Sequence, residues 1–430
     1  MDTDRELTAQ HTHLAERTTC VVTGGGPAGM VLGLLLARAG IDVTVLEKHA
    51  DFLRDFRGDT VHASTLRLLD ELGLGDAFAA LPQRRLDSIN IPVAEGLSVH
   101  ASLASLPGRY CHIAMVPQWD LLELLAEAAR AEPGFTLAMN TEATALLRER
   151  GVVAGVRYRC ANGSNGVLRA DLTVAADGRG SCLRAESDLR TRSWPVPFDA
   201  WWFRVPRLRS DPSGLVGAIM PGHGMVMIDR GDYFQIAYLI PKGSDARQRD
   251  RGLHALHADL LELAPWLRER VRAVDSFAAI SLLDVRLDRL RRWSQPGLLC
   301  IGDAAHAMSP VGGVGINLAV QDAVATARIL AAPLLAGTLR PRDLAKVQLR
   351  RWLPTAVTQR MQHAVHTWGM GTALFPQRGA GPPLPVRAAA RMRWLGIVPA
   401  YLVAIGVLPE HAPEFAKRAS PAASTGSTRS

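Results

Sequence analysis

The chain has 430 residues, 48% of them hydrophobic, and a formal charge of +8. That length suits two or three packed units with a substantial core. Only Lys48, Lys242, Lys346 and Lys417 among the 49 basic residues are lysines, and the arginines are scattered, so no tract of the kind that docks on nucleic acid stands out.

Five cysteines, at positions 20, 111, 160, 182 and 300, form no CxxC pair and no cluster with metal-ligand spacing. This argues against a disulfide framework and a metal site, and for a reducing, cytoplasmic setting. Residues 1–18 are polar and read as a flexible N-terminus rather than a signal peptide.

The predicted elements begin with a β-prone run at 19–23, a glycine turn, an apolar helix from Met30 to Ala39 and a strand from Ile41 to Glu47. Together they make a βαβ unit. Helices are expected at 63–72, stopped by Gly73, and at 118–131. Strands are expected at 135–139, 143–148, 152–159 and 172–175, with turns at Asn162-Gly163 and Asn165-Gly166. A second β-rich region covers 198–285, interrupted by one helix at 247–262. Alternation along its strands should turn about half of Trp201, Phe203, Met225, Met227, Tyr233, Phe234, Gln235 and Tyr238 toward a ligand. Which half depends on a register that one residue reverses.

A strand at 298–301 precedes a long helix at 314–335, and the remainder to 418 reads as helical. Trp394 to Pro409 carries no charge but is too short to span a bilayer, and Pro399 should interrupt a helix there. It reads as a buried or pocket-covering segment, with interfacial membrane contact as the weaker alternative. The last dozen residues, rich in Ser, Ala, Thr and Pro, read as a disordered tail.

Three glycine-bearing segments carry the chemistry. The first is Gly24-Gly25-Gly26-Pro27-Ala28-Gly29, with Glu47 and Lys48 at the end of the next strand. A lone GxGxxG is weak, but here it sits between a strand and a helix. The helix N-terminus can receive a pyrophosphate, and Glu47 can accept from a ribose hydroxyl while repelling a 2′-phosphate. The second is Asp177-Gly178, followed by Ser181 and Arg184, after an apolar strand. The third is Gly302-Asp303-Ala304-Ala305-His306, continuing through Pro310, Gly312, Gly313, Gly315, Ile316 and Asn317. An NAD dehydrogenase has no need of the later two. The long FAD molecule does: Asp303 suits ribityl hydroxyls, and N–H groups at Gly315, Ile316 and Asn317 suit the flavin edge that becomes anionic on reduction.

In this order and spacing the segments resemble class A flavoprotein monooxygenases, the group of para-hydroxybenzoate hydroxylase, over about residues 19–330. The resemblance implies an α/β fold: a Rossmann-like FAD-binding domain of the GR2 type with an inserted β-sheet substrate domain and a helical C-terminal region. The expected division is 19–190 plus 286–365 for FAD, 191–285 with part of 85–115 for substrate, 366–418 for the helical region and 419–430 for the tail.

The resemblance also implies non-covalent FAD, NAD(P)H as co-substrate without its own domain, O₂, and a flavin C4a-hydroperoxide that hydroxylates or epoxidises an electron-rich aromatic or polyketide-like substrate. It places Arg57 and Gln118 on FAD, Ala143 against the adenine through its backbone, and Pro310 beside the oxygen. His62 and, more weakly, His306 are acid–base candidates. A monomer or homodimer is expected, without a thioredoxin-like extension.

Three other readings compete. A halogenase should carry a Trp-x-Trp-x-Ile-Pro segment, and Tyr233 to Pro241 lacks both tryptophans. A reductase acting on a lipid-like substrate draws on the apolar C-terminus. A non-catalytic flavoprotein leaves the second segment without a purpose.

Overall fold

The computed structural model describes residues 14–53, 60–94, 97–370, 374 and 397–419. Arg57 lies outside the described residues, as does the segment 420–430.

The first sheet grows from the βαβ unit. Strand β1 (Arg17–Thr23) ends in continuously buried residues, as a strand covered on both faces should. It leads into α1 (Pro27–Arg38), buried from Ala28 to Ala37, and then into β2 (Val43–Leu46), parallel to β1. Helices α2 (Ala63–Glu71) and α3 (Gln118–Arg130) follow, and β3 (Phe135–Ala138) extends the parallel sheet beyond β2. Next come β4 (Thr141–Glu149), β5 (Val152–Cys160) and β6 (Asn165–Ala175). The second half of β6 lies parallel to β1, while its first half pairs antiparallel with β5. Asn165 and Gly166 therefore stand inside a strand, opposite Arg159 and Tyr158; the turn is at Asn162-Gly163 alone.

The second sheet is antiparallel. It contains β7 (Phe198–Pro206), β8 (Leu215–Met220), β9 (His223–Asp229), β10 (Tyr233–Pro241) and β11 (Ser281–Leu283), in the order β8-β9-β10-β7-β11. The helix expected at 247–262 is two, Asp245–Asp250 and α4 (Gly252–Leu263), broken where Gly252 takes φ +81°. The strand expected across 277–285 shortens to β11, because a 3₁₀ turn occupies Phe277–Ala279.

Strands β12 (Ser294–Gln295) and β13 (Leu298–Cys300) complete the first sheet, β13 running parallel to β6. Helix α5 (Val314–Leu335) matches its expected bounds. It is long and apolar enough to cross a bilayer, but most of it is buried against the rest of the chain, as in a core helix. Helix α6 (Pro341–Ala364) ends in a π-helical turn, Val365–Met370. Helix α7 (Ile397–Ala404) contains Pro399, contrary to the expected break. After Ala404 the chain is mostly non-helical rather than helical, apart from a 3₁₀ turn at Glu414–Ala416.

The alternation of the second sheet resolves against the expectation of an even split. Trp201, Phe203, Met225, Met227, Phe234 and Tyr238 all pack with Leu256, Leu260 and Leu263 of α4. The opposite face carries Phe198, Ala200 and Leu239, with Trp202 beside them, and meets Met370, Leu374 and Val311 of the third glycine segment. A helix covering one face of a sheet takes the bulkiest side chains, so the large residues marked the wrong face.

Candidate active site

Strand register brings the three glycine segments together. Thr23 at the end of β1 lies beside Ala175 of β6, and Ala175 lies beside Cys300 of β13. All three strands therefore release their loops at one carboxyl edge, where ligands of open α/β sheets bind. Gly24 abuts Ala176, and Gly302 stands close to Ala28, the position of a Cβ on it falling 3.4 Å from the Ala28 Cβ.

At the first segment, a Cβ on Gly29 would lie 2.0 Å from the Gly24 carbonyl oxygen, so only glycine lets α1 start this close to the turn. A Cβ on Gly26 would meet nothing within 4 Å; the loop presents open space to a ligand. No side chain caps the α1 N-terminus, which leaves its first N–H groups for an anion. Glu47 is buried, and its two oxygens accept from Gly25 N at 2.8 Å and His49 N at 3.0 Å. It therefore shapes the loop. Lys48 is exposed beside it.

Gln118 is the first residue of α3. Ala143 is buried, and its carbonyl accepts from Cys182 Sγ at 3.0 Å, tying β4 to the second segment. There Asp177 Oδ2 accepts from Cys182 N at 3.1 Å, while Oδ1 is buried with no partner. Burial pushes this carboxyl up, against the hydrogen bonds that favour its charge. Ser181 caps the short helix Cys182–Ala185 by accepting from Arg184 N. The Arg184 guanidinium donates to the Arg179 carbonyl at 2.7 Å and to Asp288 Oδ1 at 3.2 Å, a bracing role.

In the third segment Asp303 pairs with Arg179 at 3.0 Å. Pro310 opens a 3₁₀ turn over Val311–Gly313, directly before α5. Gly313 holds φ +63°, and its Cβ would fall 2.3 Å from Thr60 Oγ1. No side chain caps α5, so the N–H groups of Gly315 and Ile316 remain free of intrahelical partners. Asn317 contributes more than its backbone: its buried Oδ1 accepts from Ser64 Oγ at 3.0 Å and Thr65 Oγ1 at 2.5 Å, locking the α5 terminus to α2. Two uncapped helix ends, the open Gly26 face and the lone Asp177 oxygen fit a long anionic cofactor with polar groups along its length.

The two histidine candidates are both enclosed. His62 is fully buried, and its Nδ1 donates to the Val403 carbonyl of α7 at 2.6 Å. Burial lowers it to about 4, so it clasps the C-terminal helix as a neutral ring. His306 donates through Nε2 to Asp322 at 2.5 Å, and Asp322 also accepts from Gly302 N and Arg351 Nε, each at 3.0 Å. Burial alone would raise the Asp322 carboxyl, but His306 and Arg351 hold it below the usual range. His306 is thus part of the scaffold that sets Gly302.

Sequence reasoning missed Arg351, Glu410, Gln362 and His366, none of which belongs to a glycine pattern. Glu410 is buried and receives Arg350 at 2.5 and 2.9 Å, fastening the chain after α7 to α6. Gln362 donates to the carbonyls of Ser309 at 2.9 Å and Val311 at 2.8 Å, fixing the loop around Pro310. A cavity of about 550 Å³ lined by Asp70, Asp76, Arg85, Asp87, Arg109 and His112 includes no residue of the three segments; its mixed charges partly pair, as in Arg109–Asp70 at 3.1 Å. The described residues contain no cluster suited to a metal.

A family model described as FAD binding domain matches residues 17–353. The 6-methylpretetramide 4-monooxygenase of Streptomyces rimosus is 35% identical over 337 residues, 77% of this chain and 78% of that protein. The 12-dehydrotetracycline 5-monooxygenase/anhydrotetracycline 6-monooxygenase of Streptomyces rimosus subsp. rimosus is 32% identical over 356 residues, 78% of this chain and 66% of that one. Among solved structures, an anhydrotetracycline hydroxylase from Streptomyces rimosus superposes with a TM-score of 0.71 at 23% identity, covering 92% of this chain and 77% of that one. At that identity the likeness concerns the fold.

Proposed function

The chain belongs to the FAD-dependent monooxygenase family of hydroxylases, and we propose that it uses NAD(P)H and O₂ to hydroxylate a hydrophobic, polycyclic aromatic substrate of polyketide type. The observation that carries the reading is the shared carboxyl edge of β1, β6 and β13, which gathers the three glycine segments. The apolar face of Phe198, Ala200 and Leu239 beside Val311 favours a hydrophobic ligand over a small benzoate, in keeping with relatives named as monooxygenases of 6-methylpretetramide and of anhydrotetracycline.

When bound, FAD supplies the redox chemistry, taking a hydride from the nicotinamide and activating dioxygen. The protein's residues bind and orient it. Gly24, Gly26, Pro27, Ala28 and Gly29 would receive the pyrophosphate at the α1 terminus, and Glu47 would take the ribose. Gln118 and Ala143 would hold the nucleotide, and Asp303, paired with Arg179, would accept from the ribityl chain. The N–H groups of Gly315, Ile316 and Asn317 would stabilise negative charge on the flavin. Gly312 and Gly313 permit close approach. Helix α7, held by His62 and the Glu410 ion pairs, keeps water from that end.

The reading is tested by incubating FAD-loaded protein with NADH or NADPH and a panel of mono- and polycyclic phenols. The expected result is ligand-stimulated oxidation of the nicotinamide with a product heavier by one oxygen, favouring polycyclic members. A product gaining only two hydrogens would instead establish the reductase alternative.

A further inference from the structure

The charge of the chain is not spread evenly. From Leu344 to Pro409 the sequence contains no acidic residue and eight basic ones, which equals the whole formal excess of +8. Helix α6 opens this stretch. Its inner side is held in the protein by buried Leu344, Val347, Thr355, Gln359 and Gln362. Its outer side is a stripe: Arg342, Lys346, Leu349, Leu353 and Arg360 are all exposed, and their spacing of four, three, four and seven keeps them on one face. The stripe runs about 27 Å along the helix. Leu349, at 80%, is the most exposed of the described large hydrophobic residues, with Leu353 at 46% and Trp352 beside it at 43%.

The strand ribbon beside Trp352 adds to the charge. Thr191–Trp194 pairs antiparallel with Leu287–Leu290, which sets Arg192 directly opposite Arg289, where like charges repel. The Arg289 guanidinium lies 5.2 Å from the Trp352 ring centre and 5.4 Å from that of Trp194, which Arg192 also covers at 5.1 Å. Burial, and then the charges of Arg192 and Arg360, pull Arg289 below its ordinary value, and its Nη1 is buried with no hydrogen-bond partner. The neighbouring carboxylates are engaged elsewhere: Asp288 by Arg184, Asp343 by Lys346 and Glu410 by Arg350. Among the described residues no ion pair reaches Arg192, Arg289 or Arg360. Single leucines on a surface are ordinary, but three large apolar side chains within five positions, rimmed by uncompensated arginines, mark a contact face.

We propose that the outer stripe of α6, with Trp352 and the Arg192–Arg289 ribbon, is a docking face for an anionic lipid bilayer, Leu349, Leu353 and Trp352 entering the headgroup boundary while the cations meet lipid phosphates. Leucine and tryptophan among lysines and arginines is the composition of interfacial helices, and tryptophan is enriched at that boundary. Long basic side chains reach the headgroups while their stems cover apolar surface. With its inner side packed on the protein, α6 can lie only in the interface plane. A second copy of the chain fits poorly, because a two-fold contact of this face with itself sets arginine against arginine. A nucleic acid answers the charges and leaves the leucines in water. The face includes no residue of the three glycine segments, and its docking does not depend on the hydroxylase reading.

The test sediments the full-length, FAD-loaded protein with vesicles of phosphatidylcholine alone or mixed equally with phosphatidylglycerol. Binding to the mixed vesicles should be at least about tenfold tighter and should weaken at high salt. Leu349→Asp should lower it at least about tenfold, by losing buried apolar surface and adding a repelled charge, and Arg360→Glu should lower it by a similar factor. Leu208→Asp, at a residue 53% exposed and outside this face, should leave it unchanged. FAD content is measured in every variant, and if Leu349→Asp loses FAD, Leu349→Ser is read in its place. No uptake by the mixed vesicles would overturn the proposal. So would uptake that Leu349→Asp leaves intact while heparin binds equally well, since the partner would then be recognised by charge alone. Light scattering reads the remaining alternative: a dimer that Leu349→Asp dissociates, with no vesicle uptake, would replace the bilayer with a second copy of the chain.

Discussion

The two ends of the proposed flavin site are built on different principles. The nucleotide end is made from consecutive backbone: Gly24 to Gly29, the α1 terminus and Glu47, which accepts from Gly25 N. The ring end is made from side chains that arrive from far along the chain. Asn317 is held by Ser64 and Thr65, Asp322 by His306 and Arg351, Ser309 by Gln362 and His366, and His62 by the Val403 carbonyl. The first kind of site is most sensitive to change at its glycines. The second spreads its demands over many residues.

The largest effect should come from the nucleotide end. Gly29→Val places atoms where the Gly24 carbonyl already stands, 2.0 Å from a Cβ. The variant should purify without yellow colour and take up FAD at least ~100-fold more weakly, the order of effect that a forced displacement of a close-packed backbone turn produces. Normal FAD content would break the distinction between the two ends.

At the ring end, Arg351→Met leaves Asp322 and Glu410 buried with one fewer cation. Removing one partner from a buried ion pair costs about 3–5 kcal/mol, read as a lower urea midpoint. A change within error would show that the pairs of Arg351 with Asp322 and Glu410 contribute nothing to holding α5, α6 and the chain after α7 together.

Acid should act there as well. His62 and His366 are each lowered to about 4 by burial, from an unfolded value near 6.5. Below that value the unfolded chain binds protons that the folded chain refuses. Stability is therefore full above about pH 6.5 and declines as pH falls toward 4, by about 3 kcal/mol per imidazole. Replacing His366 with Phe should flatten the decline measured by urea unfolding between pH 7 and 4.5. An equally steep profile would mean that the ring is reached by water.

The smallest effect tests the second segment. Ser181→Ala removes the cap on Cys182–Ala185 and should cost about 1 kcal/mol, seen in thermal unfolding, without loss of bound FAD.

This contrast also explains what was legible in the sequence. The βαβ unit, the bounds of α5 and the three glycine segments were readable because each depends on local spacing: strand, turn, helix terminus. Gly313 could be marked because a glycine run before a helix has few other uses. His366 and Gln362 could not, since nothing in their neighbourhood distinguishes them from other polar residues of α6 and its π turn. Their significance comes only from facing Ser309, more than fifty positions earlier. The face of the second sheet was missed for a related reason. Trp201 and Trp202 are adjacent and alike in sequence, and only the presence of α4 decides that Trp201 is core while Trp202 faces the third segment. The helix expected at 247–262 divides because Gly252 takes positive φ, which the local residue pattern does not mark.

One measurement bears most directly on the whole account. FAD-reconstituted protein is supplied with NADPH or NADH, ¹⁸O₂ and a polycyclic phenol, and the product is weighed. The account predicts one ¹⁸O atom per product molecule and none from labelled water. Nicotinamide consumption that leaves the phenol unlabelled, with all of the oxygen recovered as hydrogen peroxide across the full panel, would contradict it.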